Sequence, residues 1–241
     1  MIYQSIISLS GKKKILALLV DPDETAVDNL RVLMQVASVS GVSLILVGGS
    51  LVSNPVDPVV EAIRKMSSIP VLLFPGNPGQ LSSKADGLLL LSLISGRNPE
   101  FLIGHHVSSS RFIRDSKLEV IPTGYMLIEN GSSSSAGYMS NTTPIPRNKP
   151  DIAVSTAIAG ELLGLKLIYI EGGSGAAGIV PPATIQAVKN NIGVPLVVGG
   201  GIRNADDLRQ VYDAGADIAV VGNSVEKDFS KLEEFAAVLG S

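Results

Sequence analysis

Eight short apolar runs punctuate this chain, at residues 15–20, 43–47, 71–74, 87–91, 119–128, 167–170, 195–198 and 218–221. Runs this short and apolar predict strands buried on both faces, as in a parallel sheet. Helical patterns lie between most of them, at residues 26–39, 56–67, 152–163, 182–190 and 205–214. Strand and helix alternating in this way specify crossover connections, and eight strands close into a (β/α)8 TIM barrel. The 241 residues match the roughly 250 of one such barrel, so residues 1–241 are expected to form a single domain. Cap chemistry agrees: Asn204 precedes a helix with Asp206 and Asp207 in its first turn, and Gly215 ends it.

Two intervals break the alternation. Residues 75–86 contain Pro75, Gly76, Pro78 and Gly79, and a crossover helix with two loops would be cramped there. The third outer helix is therefore expected to be reduced or missing, which opens a gap where a long apolar ligand fits. Residues 129–150 carry Gly131, a serine run, Gly137 and then Pro144, Pro146 and Pro150. That segment reads either as a disordered insertion or, from its place after the fifth strand, as a lid over the barrel mouth.

Composition narrows the function classes. Hydrophobic residues make up 45% and charged residues 17%, ample for one large core. The net charge of −3 and scattered basic residues give no nucleic-acid footprint. With no cysteine in the chain, disulfides, thiolate catalysis and zinc–sulfur sites are excluded, in keeping with a reducing compartment. Lys12-Lys13-Lys14 precedes an apolar run that Asp21 cuts short, too early for a secretion signal. No run reaches the roughly 18 residues of a spanning helix, and the expected location is cytoplasmic.

Three glycine-bearing turns follow the last three runs: Tyr169-Ile-Glu-Gly-Gly-Ser-Gly175, Gly199-Gly-Gly-Ile202 and Gly222-Asn-Ser224. Glycine lets backbone N–H groups approach an anion, and phosphate sites after the seventh and eighth barrel strands have this layout. Glu171 and Tyr169 are two apart on the sixth strand and point the same way, placing a carboxylate that can take a hydroxyl proton beside a phenol that can donate. Taken alone, Tyr169 is equally a packing residue. Asp21 ends the first strand and Pro22 stops it; its carboxylate reads as an acid or base, a helix N-cap, or one ligand of Mg²⁺. Asp23 or Glu24 is the alternative cap. Ser50, after the second strand, offers a hydroxyl beside Asp21, or is simply a turn residue. His105 and His106, the only histidines, lack ligand spacing and read as helix-face residues. Tyr125, Met126, Tyr138 and Met139 are candidates to line an apolar groove, with core packing the alternative for the first two.

Together, Leu18-Leu-Val-Asp-Pro-Asp23, Val47-Gly-Gly-Ser50, Phe74-Pro-Gly76, Pro122-Thr-Gly-Tyr125 and the three glycine turns resemble the geranylgeranylglyceryl phosphate synthase family and its bacterial heptaprenylglyceryl phosphate relatives. The resemblance spans almost the whole chain, and Tyr-Ile-Glu followed by glycine and serine is its specific element. It implies a barrel without its third helix, and a prenyltransferase that joins the 3-hydroxyl of sn-glycerol 1-phosphate to a polyprenyl diphosphate. By position it implies Mg²⁺ at Asp21 and Ser50. The glycerol phosphate site it implies comprises Tyr169, Ile170, Glu171, Gly172, Gly173, Ser174, Gly175, Gly200, Gly201, Gly222 and Asn223. Leu19 stands where the heptaprenyl branch has lysine, which points to the geranylgeranyl branch. A dimer or hexamer is implied too, with transient membrane contact for the lipid product. The rival readings are a sugar-phosphate isomerase pairing Asp21 with Glu129, and a non-catalytic phosphate binder.

Overall fold

The computed structural model describes residues 1–25, 27–131 and 134–240, without the side chains of residues 27 and 28. Ala26 in the second expected helix, Ser132 and Ser133 in the serine run, and Ser241 lie outside the described residues. The chain runs α1 (Ile2–Leu9), β1 (Ile15–Val20), α2 (Val27–Val39), β2 (Val42–Val47), α3 (Val56–Met66), β3 (Val71–Leu73), β4 (Gly87–Leu93), α4 (His105–Asp115) and β5 (Glu119–Leu127). It continues with α5 (Ser135–Ser140), α6 (Pro150–Leu162), β6 (Leu167–Glu171), α7 (Pro182–Lys189), β7 (Leu196–Gly199), α8 (Ala205–Asp213), β8 (Ile218–Val221), α9 (Asn223–Lys227) and α10 (Lys231–Leu239). The eight strands pair in sequence order, all parallel, and β8 closes on β1 through Ile15 opposite Ile218. The expected barrel is the observed fold.

Alternation along each strand divides the core in two. Ala17, Leu46, Leu72, Leu89, Tyr169 and Val197 fill the barrel interior, while Leu16, Leu18, Ile45, Leu88, Ile168 and Val198 pack outward against the helices. Both faces are buried, which is why the strands read as unbroken apolar runs. Helix α1 joins the interior cluster through Ile6, and the Glu119 carboxylate accepts the N–H groups of Ile2 and Tyr3 at 2.5 and 2.9 Å. In α8 the Asn204 side chain accepts from Asp207 N at 2.9 Å, the expected cap.

Between β3 and β4 the only helical structure is one 3₁₀ turn, Pro78–Gln80, so the third outer helix is indeed lost. The insertion after β5 carries α5, whose N-cap Ser134 accepts from Gly137 N at 3.1 Å. Helix α6 begins at Pro150, two residues before the periodicity indicates, because proline is pre-shaped for the first helical position. The structure adds helices that the alternation of strand and crossover does not call for: α1 before residue 15, and α9 and α10 after residue 221.

Candidate active site

The C-terminal ends of the strands bring two groups of residues to one mouth. On one side, Tyr169 and Glu171 project the same way from β6. Glycine is required opposite them: a Cβ at Gly199 would lie 3.0 Å from Glu171 Oε2 and overlap the Tyr169 hydroxyl. At Gly200, with φ +84°, a Cβ would overlap Glu171 Oε1 and lie 2.7 Å from Gly173 N. Gly172 N donates to Gly199 O at 2.9 Å and Gly173 N to Glu171 Oε1 at 2.7 Å. Those two amides therefore shape the carboxylate's seat. Asn223 Nδ2 donates to Ser174 Oγ at 3.1 Å, joining the turn after β6 to the start of α9.

Glu171 is only 8% exposed, and burial pushes it from 4.5 up to about 7, partly offset by the Gly173 N–H and the Tyr169 hydroxyl. Burial, and then the Glu171 charge, raise both Tyr169 and Tyr125 well above 10. The Tyr169 hydroxyl is fully enclosed and makes no well-aligned hydrogen bond among the described residues, although it lies close enough to Glu171 to favour the carboxylate. A buried donor without a partner calls for one, and a bound ligand or an ordered water can supply it. The ring itself stacks on Phe74 at 5.3 Å and meets Tyr125 edge-on at 5.2 Å, so Tyr169 packs in the barrel interior while its hydroxyl stays close to Glu171.

Across the mouth, Asp21 accepts Asp23 N at 2.9 Å, and burial raises its carboxyl above the ordinary range. A Cβ on Gly49 would meet Asp21 Oδ2 at 2.5 Å, which places the carboxylate against the turn that bears Ser50. Asp23 accepts Ser53 N and Asn54 N, each at 2.8 Å, binding the first loop to the second. Glu226, which no sequence signal marked, accepts Asp21 N at 3.3 Å. Among the described residues no three His, Cys, Asp or Glu side chains cluster to hold a metal. One half-buried carboxylate with Ser50 on the adjoining turn is nevertheless a donor set that fits Mg²⁺, which commonly takes one or two carboxylates and completes its shell with water and phosphate.

An apolar cleft is lined by Phe74, Leu91, Leu93, Phe101, Tyr125 and Met139 together with Ser50 and His105, and its Phe74 and Tyr125 rings pack on Tyr169. Of the four groove candidates, Tyr125 and Met139 line it, Met126 points outward into the helix layer, and Tyr138 is 84% exposed. His105 packs on Phe101 at 4.6 Å and His106 bonds Leu91 O at 2.8 Å, both half-buried on α4 and its lead-in. Glu129 is exposed and accepts Arg147 N at 3.4 Å, a contact within the insertion that lends the isomerase pairing with Asp21 no support.

The PcrB family pattern matches residues 10–239. A geranylgeranylglyceryl phosphate synthase from Spirosoma linguale is 47% identical over 96% of this chain and 93% of its own. One of the same name from Chitinophaga pinensis is 46% identical over 98% and 94%. The crystal structure of (S)-3-O-geranylgeranylglyceryl phosphate synthase from Thermoplasma acidophilum, in complex with its substrate sn-glycerol-1-phosphate, superimposes with a TM-score of 0.94. It is 27% identical and covers 99% of this chain and 98% of its own.

Proposed function

The chain belongs to the PcrB family, and on that premise we propose that it joins the 3-hydroxyl of sn-glycerol 1-phosphate to C1 of geranylgeranyl diphosphate, releasing diphosphate. The product is an ether-lipid precursor. The observation that carries this reading is the buried pair Glu171 and Tyr169, set between glycine turns and an apolar cleft. Glu171 accepts the hydroxyl proton as the C–O bond forms at C1 and the bond to diphosphate breaks. An acid raised to about 7 is ionisable at neutral pH and basic enough to take that proton. The Tyr169 hydroxyl donates to the bound glycerol phosphate. Backbone at Ser174, Gly175, Gly200, Gly201, Gly222 and Asn223 cradles its phosphate, and Ile170, Gly172 and Gly173 shape the wall behind it.

Asp21 and Ser50 would hold Mg²⁺, which would supply charge neutralisation for the departing diphosphate. The cleft walls exclude water from the prenyl tail. A rival sugar-phosphate isomerase is less supported, since the named relatives carry the synthase name. No helix among the described residues is long and apolar enough to cross a membrane. Cytoplasmic location and transient membrane contact during product release belong to the same proposal. So does a homo-oligomer, dimer or hexamer, supported by exposed Ile103, Val107, Leu162 and Leu163.

Purified protein with labelled sn-glycerol 1-phosphate, Mg²⁺ and prenyl diphosphates from C15 to C35 tests the reaction. Ether product is expected with geranylgeranyl diphosphate, and its absence with every donor sinks the assignment. Glu171→Gln should lower kcat about 10²–10⁴-fold while sn-glycerol 1-phosphate still binds by calorimetry. Undiminished turnover would remove Glu171 as the base.

A further inference from the structure

The segment that replaces the third outer helix buries two polar side chains, Ser82, which accepts Lys84 N within the segment, and Gln80, only 2% exposed, which reaches outside it. Three of the Gln80 amide's four hydrogen-bonding positions are used. Oε1 accepts Gly49 N at 3.2 Å and Gly76 N at 3.1 Å, and Nε2 donates to Gly49 O at 2.8 Å. All three bonds go to the turns after β2 and β3. A buried amide is costly unless paired, and here the pairing fixes both the N–H and the C=O of Gly49.

Gly49 lies between the Gln80 amide and the Asp21 carboxylate, and Ser50 is the next residue along. We propose that Gln80 is a positioning residue for the metal-binding turn, clamping Gly49 so that Asp21 and Ser50 present their oxygens at a fixed separation. This rests on the reading that Asp21 and Ser50 hold Mg²⁺ with the donor's diphosphate. The 3₁₀ turn Pro78–Gln80 is shaped to deliver the clamp. Asn77 caps it by accepting Gly79 N at 2.8 Å, and Gln80 arrives directly beneath the turns. Loss of the helix thus removes a packing element and leaves one amide in its place. Asparagine is a methylene too short, and methionine fills the space without any of the bonds.

Two measurements test the clamp. Hydrogen exchange on the full wild-type chain should show Gly49 and Gly76 amides protected, although both lie outside helix and strand. Exchange at free-loop rates would overturn the proposal. Calorimetric titration with Mg²⁺ in the presence of inorganic diphosphate should weaken about tenfold in Gln80→Met, the share expected of lost hydrogen bonds. Binding of sn-glycerol 1-phosphate, across the mouth, should stay within about twofold. A folded Gln80→Met with unchanged Mg²⁺ binding, or with both ligands weakened equally, would reduce Gln80 to a structural residue and overturn the proposal. If that variant does not fold, Gln80→Asn carries the same comparison. Asp21→Asn run alongside separates the two readings: unchanged Mg²⁺ binding there removes the metal site itself.

Discussion

The two sides of the barrel mouth are built by opposite means. Around β6, β7 and β8 the site is made of backbone pressed against one buried carboxylate, and Gly200 leaves no space for a side chain. Around β1, β2 and β3 it is made of side chains that reach across loops: Asp23 to Ser53 and Asn54, Gln80 to Gly49 and Gly76, Glu226 to Asp21. A backbone cradle cannot adjust, which suits a small acceptor of fixed size. Side-chain clamps beside a missing helix leave an open cleft, which suits a long apolar donor.

Paired glycine substitutions test that contrast most strongly. In Gly200→Ala the new Cβ meets the Glu171 carboxylate and the backbone nitrogens of Gly172 and Gly173, on a residue already at φ +84°. Nothing there can move cheaply, and turnover should fall at least about 100-fold, the scale of a few kcal/mol of strain. In Gly49→Ala the Cβ meets the Asp21 carboxylate, the free end of a side chain, at 2.5 Å. That end can swing aside, so the loss should be about tenfold and fall on Mg²⁺ dependence. Steady-state kinetics with each ligand varied reads both. Equal losses would erase the distinction between a rigid acceptor side and an adjustable donor side.

The buried charge separates the two sides in a second way. Glu171 has its folded value raised from 4.5 to about 7, so it favours folding when protonated. Its contribution is fully present below about pH 4.5 and is lost as pH rises through about 7. Glu171→Gln removes the titration, so the variant should be more stable than wild type at about pH 8, by up to about 3 kcal/mol, and the gap should close by about pH 4.5. Thermal unfolding across that range measures it. Wild-type kcat/KM should fall about tenfold per unit below about pH 7, because the base must be ionised. A stability gap independent of pH would mean that Glu171 is not strained by burial.

Legibility in the sequence followed the same division. The strands of the acceptor side and their glycine turns were readable because burial on both faces makes a strand uniformly apolar and glycine marks each exit. The seat of Glu171 followed from two-residue alternation along β6. The lost helix was readable as a length that could not hold one. Gln80 was not, because a single amide between Gly79 and Leu81 carries no periodicity, and its partner Gly49 is 31 residues away. Glu226 escaped for the same reason: Asp21 is 205 residues distant in sequence. Helices α1, α9 and α10 were missed because no strand-to-strand interval sets them off as crossovers. Asp23 read as an alternative helix cap from position alone, and its bonds to Ser53 N and Asn54 N, about 30 residues away, carry no sequence signal.

The smallest expected effect concerns a side-chain link within the backbone-built half, from Asn223 to Ser174. Asn223 Nδ2 reaches Ser174 Oγ at 3.1 Å, near the solvent-facing rim of the cradle. An exposed hydrogen bond of this kind contributes about 0.5–1.5 kcal/mol, and water competes for both ends. If that link only trims the cradle, Asn223→Ala should raise the KM for sn-glycerol 1-phosphate about three- to tenfold. The KM for the prenyl donor and the Mg²⁺ dependence should not change, because the route from Asn223 to the Asp21 side runs through α9 and the Glu226 carboxylate. Should donor KM rise in step with acceptor KM, α9 would be transmitting between the halves through Glu226. The mouth would then act as one unit, and the division between a rigid acceptor side and a clamped donor side would have to be given up.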